Sequence, residues 1–167
     1  MGYVCVDTQT LIWGVRQRAT AGQEEMIQRA GIFVQECQDV GDTILVPAVV
    51  LGELLAGIPP EEHDDFFQTI HKRFVVAPFD GPAALVYGQL WYEHRGTVIP
   101  EVREADPDVT RSVVKADHMI AATAVATRSD VLVTDDKPLA RFSEGRIAVR
   151  AIRDVAIPAK QTDLFTQ

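Results

Sequence analysis

Three short runs, Tyr3-Val4-Cys5-Val6, Thr43-Ile44-Leu45-Val46 and Val131-Leu132-Val133, hold almost no polar residue. A strand with one face in water alternates apolar and polar side chains, whereas a strand covered on both faces does not alternate at all. Between these runs lie segments with helical spacing. The clearest is residues 23–40, with Met26, Ile27, Ala30, Phe33, Val34 and Cys37 on one side. Short apolar strands alternating with helices predict an α/β fold, a three-layer α/β/α sandwich with a mainly parallel sheet.

The remaining elements follow from local signals. Residues 8–17 read as a helix with Thr8 or Thr10 near its N-cap, and Gly41-Asp42 stops the helix over 23–40. Pro47 suits the first turn of a helix running through Glu53 to Gly57. Pro59-Pro60 opens another, which leads into the strand VVAPF (75–79). Residues 81–95 are helical, with Leu85, Leu90 and Trp91 on the apolar side. Thr97–Asp108, with two prolines and four acids, reads as an exposed loop before a long helix over 109–128. After the strand VLVT come a short helix, PLARF, and a last strand, IAVRAI (147–152). We expect one domain over 1–157 and a flexible tail over 158–167.

Composition sets outer bounds. With 167 residues and 47% apolar content, the chain can bury a core without disulfides. Cys5 and Cys37 are expected to be buried free thiols, and no apolar run approaches a membrane span. The N-terminus lacks the pattern of a secretory leader, so a cytoplasmic protein is expected. A net charge of −8 runs against the basic footprint of a nucleic-acid binder. A cluster of acids holding divalent ions accounts for part of that charge and reverses its local sign.

Such a cluster is what the sequence suggests. Asp7 ends the first strand, Asp135-Asp136 follow the strand VLVT, Glu53 stands among Leu51, Leu54 and Leu55, and Asp117 lies in an apolar helix. Residues three or four positions from Asp117 are Val113, Val114, Ile120 and Ala121, which puts it on the core-facing stripe. A buried carboxylate costs several kcal/mol unless paired, protonated or bound to metal. Any one of the four could be a helix cap; all four together point to one shared site. In parallel sheets, ligands bind beyond the carboxyl ends of the strands, where Asp7 and Asp135-Asp136 are expected.

Carboxylates without a His or Cys cluster favour Mg²⁺ or Mn²⁺, and the chemistry needing such a site is phosphoryl transfer. His118 points about 100° away from Asp117 on a helix and reads as a rim or packing residue. There is no Walker loop, GxGxxG or GxSxG. A haloacid-dehalogenase phosphatase is set aside because Gln9 stands where its second Asp is required.

In order, VDTQTLIW, VVLGELLAGI, KADHMIAATAVA and LVTDDKPLARF resemble the motifs of the PIN-domain family, which includes the VapC-type toxin ribonucleases. The resemblance implies a PIN-like sandwich and metal-dependent endonucleolytic cleavage, of RNA in preference to DNA. It also implies a homodimer and, for a toxin, an antitoxin partner. Asp7, Glu53 and Asp117 match family positions directly, and Asp136 matches the acid that follows Thr with one residue between. Asp135 occupies the variable position as a supplementary metal ligand. Thr134 matches a hydroxyl beside the acids, and Thr8 follows the first acid as a supporting hydroxyl. A non-catalytic PIN-like module that binds nucleic acid or a protein is the competing reading; the complete acidic set argues against it.

Arg111 with Lys115, and Lys137 with Arg141, are pairs one turn apart that either line a groove for substrate phosphates or are ordinary exposed charges. In the tail, Gln161, Leu164 and Phe165 of QTDLF resemble a sliding-clamp docking peptide, which would place the nuclease on DNA; alternatively they fold back on the domain.

Overall fold

The computed structural model describes residues 1–158, so the QTDLF tail lies outside the described residues. Among these residues five strands make one wholly parallel sheet: β1 (Tyr3–Val6), β2 (Thr43–Pro47), β3 (Val75–Ala77), β4 (Val131–Val133) and β5 (Ala148–Arg150). They lie side by side in the order β3-β2-β1-β4-β5. β1 is central, with Cys5 paired to Leu45 on one side and Leu132 on the other. Val4, Cys5 and Val6 are all buried, and successive strand side chains point to opposite faces, so both faces of β1 are covered. That is the origin of the unbroken apolar run. Full burial of each aliphatic side chain of this kind contributes about 1.5–3 kcal/mol.

Among the described residues eight helices accompany the sheet: α1 (Thr8–Gly14), α2 (Glu24–Val40), α3 (Ala48–Ala56), α4 (His63–Arg73), α5 (Gly81–His94), α6 (Val98–Ala105), α7 (Arg111–Ala126) and α8 (Lys137–Ser143). Gly41 ends α2 in the left-handed conformation (φ 76°), where its N–H reaches the carbonyls of Cys37 and Gln38. Asp80 and Thr110 cap α5 and α7 by accepting the amides of Ala83 and Val113. Cys5 and Cys37 are buried and unpaired, and burial pushes both thiols up, Cys37 to about 11. Among the described residues, no helix is long and apolar enough to cross a membrane.

The winding decides where a site can form. From β1 the chain moves outward through β2 to β3, then crosses back to β4 on the other side of β1. Connections from β1 and β4 therefore leave in opposite directions, opening a crevice at their shared carboxyl end.

Several local expectations are corrected. The stretch 97–108 is not a loop but contains α6; Pro100 sits in its first turn, where a missing N–H costs nothing. Val98, Ile99 and Val102 on α6 pack against a small satellite core of Val109, Val114 and Phe142. Pro47 closes β2 and stands as the N-cap of α3 rather than inside it. Leu85 is exposed on α5, and Val113 is exposed on α7 while Val114 is buried. The last strand is confined to Ala148–Arg150, with Ile152 beginning a 3₁₀ turn.

Candidate active site

Asp7 follows β1, and its amide still bonds to the Val133 carbonyl of β4 at 3.2 Å. The chain then turns into α1, which Asp7 caps: one carboxylate oxygen accepts the Thr10 N–H at 2.7 Å. The other accepts the hydroxyl of Thr134 at 2.5 Å. Thr134 directly follows β4, and its oxygen also accepts the Asp136 N–H at 3.0 Å. Asp136 in turn caps α8 through the Leu139 N–H at 2.8 Å. One buried hydroxyl thus joins the two strand-end acids. Both acids are caps, but capping does not account for what stands opposite them.

From α3 comes Glu53, exposed, its carboxylate accepting the Thr8 hydroxyl. From α7 comes Asp117, 8% exposed, whose Oδ2 is buried with no hydrogen-bond partner. Asp7, Glu53, Asp117 and Asp136 line a single cleft of about 190 Å³. Thr8 and Gln9 of α1, with the apolar Ile120 and Leu139, complete its walls.

The electrostatics follow from this enclosure. Burial, then the charges of Asp136, Glu53 and Asp7, push the Asp117 carboxyl up to about 8. Burial also raises Asp7, opposed by its hydrogen bonds from Thr134 and Thr10. A cluster in which ionisation is this unfavourable needs a compensating cation or retained protons. The donors are all oxygen, and the orphaned Oδ2 of Asp117 has lone pairs to offer, which fits Mg²⁺ or Mn²⁺. Among the described residues, however, no three acids close around one point as a finished metal cage. Mutual repulsion of like charges opposes such closure.

Asp135 is turned away from the cleft. Its carboxylate accepts the Ile152 N–H at 2.7 Å and the Arg153 side chain at 2.5 Å, and it lines a separate cavity with Trp13 and Met26. The supplementary-ligand assignment therefore gives way to a structural role, tying the loop after β4 to the 3₁₀ turn after β5. Asp135→Ala is expected to lose about 1–3 kcal/mol of stability, since it orphans the Ile152 amide. A urea titration measures that loss. A variant as stable as the native chain contradicts the role.

None of the four cations Arg111, Lys115, Lys137 and Arg141 lines the cleft. Lys137 and Arg141 instead border a groove of about 530 Å³ with Val102, Ala105 and Pro138, and Arg141 is held by Glu144 and Glu101. His118 is a packing residue. Its Nδ1 lies 2.7 Å from the Val114 carbonyl, so that nitrogen donates and Nε2 accepts from His94 Nδ1 at 3.1 Å. Trp91 and Phe142 pack against its ring, and burial lowers its pKa to about 4.

A family model for the PIN domain matches residues 4–145. The chain belongs to the PIN-domain family. The match spans β1 through α8 and includes all four cleft acids. Curated protein sequences give no match. Solved structures do, at the level of fold. VapBC2 from Rickettsia felis, bound to a DNA fragment from its promoter, superposes with a TM-score of 0.62 at 16% identity, covering 89% of this chain and 98% of that one. VapBC-1 from nontypeable Haemophilus influenzae gives 0.60 at 16% identity over 90% and 98%. DNA-bound VapBC from Salmonella typhimurium gives 0.58 at 23% over 91% and 99%.

In this PIN domain the residue that sequence reasoning passed over is Gln9, weighed only for the acid it is not. Its signal was positional: two residues after Asp7, in the first turn of a helix that starts at the sheet rim.

Proposed function

We propose that this PIN domain is a Mg²⁺- or Mn²⁺-dependent endonuclease that cuts single-stranded RNA and serves as the toxin of a toxin–antitoxin pair; membership of the PIN-domain family supports the nuclease part of that reading. The observation carrying the reading is the convergence of Asp7, Glu53, Asp117 and Asp136 on one small cleft, with a buried carboxylate oxygen left unpaired. These four would hold the ion. A bound divalent cation offsets phosphodiester charge and lowers the pKa of water.

The chain's own groups do the rest. Thr134 and the Thr10 amide fix the Asp7 carboxylate, and the α8 amide of Leu139 fixes that of Asp136. Thr8 restrains Glu53, the one acid of the set that is both exposed and carried on a long side chain. Ile120 and Leu139 make part of the wall apolar, which strengthens electrostatic interactions inside the cleft. The toxin role is supported by similarity of fold to structures of VapBC complexes. An antitoxin would mask an acidic cleft most simply with a basic side chain.

The test is cleavage of randomised single-stranded RNA and DNA pools with Mn²⁺, Mg²⁺ or chelator. RNA is cut only with metal if the reading holds; cutting in chelator, or of DNA alone, contradicts it. The second reading, a non-catalytic nucleic-acid-binding module, draws on the unclosed arrangement of the acids. It requires that no Mn²⁺ binding be measurable by calorimetry.

A further inference from the structure

The cleft that must receive a phosphodiester is lined by four carboxylates, and the phosphodiester is itself an anion. Among the residues lining it, only Thr8 and Gln9 have side chains with a permanent hydrogen-bond donor. The Thr8 hydroxyl is committed to Glu53. The Gln9 carboxamide makes no hydrogen bond to the described residues; the residue is half-buried, lines the cleft and stands in the first turn of α1, directly after Thr8 and the capping Asp7. Basic side chains do not substitute for it, because Arg111, Lys115, Lys137 and Arg141 all lie off the cleft wall.

We propose that the Gln9 carboxamide donates a hydrogen bond to a non-bridging oxygen of the scissile phosphodiester and orients it over the acids; this rests on the nuclease reading above. An amide suits the position. It contributes no charge, so it neither competes with a cation for the carboxylates nor titrates across the pH range in which they do. A lysine or arginine in so small a cleft would instead form ion pairs with the acids and fill the space a metal needs.

The experiment compares native chain, Gln9→Leu and Gln9→Asn on a randomised single-stranded RNA pool with Mn²⁺. It also measures Mn²⁺ binding by calorimetry and melting temperature for each. A hydrogen bond to a charged group predicts a kcat/KM about 10–100-fold lower in Gln9→Leu, with partial recovery in Gln9→Asn. Mn²⁺ affinity and melting temperature are expected to stay at native values in both variants. Cleavage by Gln9→Leu within about twofold of native overturns the inference while leaving the nuclease reading intact. A Gln9→Leu chain that has lost Mn²⁺ binding overturns it too, by making Gln9 part of the metal site. A native chain that cuts nothing removes the nuclease reading and this inference together.

Discussion

Asp7→Asn and Asp117→Asn are each expected to lower RNA cleavage by about 10³-fold or more, with the fold retained. The two carboxylates arrive from opposite sides of the cleft's construction, one at the end of the central strand and one on α7. Asparagine keeps the shape of each side chain and most of its hydrogen bonding. At position 7 it still offers an oxygen to the Thr10 amide. What it removes is the negative charge, so a loss of activity with native circular dichroism separates chemistry from folding. Native-level cleavage by either variant rules out these acids as the machinery of the reaction.

The second large effect is on stability, and its sign is the reverse of the usual cost of mutating a buried residue. The Asp117 carboxyl is raised from 3.8 to about 8 in the fold, chiefly by burial. Between those values the folded chain binds more protons than the unfolded one, so unfolding free energy falls as pH rises through that window. The stabilisation is complete below the unfolded value and gone above the folded one. Asp117→Asn removes the penalty and should stabilise the metal-free protein by about 2–4 kcal/mol near pH 8, with little difference near pH 4. Thermal melts in chelator across that range measure it. A variant no more stable than native at the alkaline end shows that the charge is already compensated. Adding Mn²⁺ to the native chain should recover much of the same free energy by mass action.

Both predictions depend on a site that was largely legible from spacing. Asp7 and the Asp135-Asp136 pair follow from strand ends, since a parallel sheet sends its strand termini to the same rim, and only the family resemblance singles out Asp136 of the pair. Asp117 was placed by helical periodicity, which survives burial because Ile120, Ala121 and Ala124 mark the covered side. Glu53 was harder to place. Its leucine neighbours suggested burial, yet it is exposed at the cleft, since Leu51 and Leu54 face the core and it does not.

Asp135 could not be ranked below Asp136 by any local physical rule, because its alternative partner, the Ile152 amide, is supplied by chain that follows β5. The same holds for α6. Two prolines and four acids outweighed the apolar pattern of Val98, Ile99 and Val102, whose partner Phe142 lies some 40 residues away in sequence. Non-local contacts decided both cases.

The strand order has a consequence for when the protein becomes active during its own synthesis. β1 leaves the ribosome before β2 and β3, whereas its neighbour in the sheet, β4, and the acid at 136 follow all three. A nascent or prematurely terminated chain that stops short of β4 lacks Asp136, the Thr134 tie and one wall of the central strand. It cannot assemble the cleft, whatever else it folds. The four-acid cleft is therefore complete only once β4 and the residues just after it have been made, and a chain stopped upstream of β4 carries no such cleft.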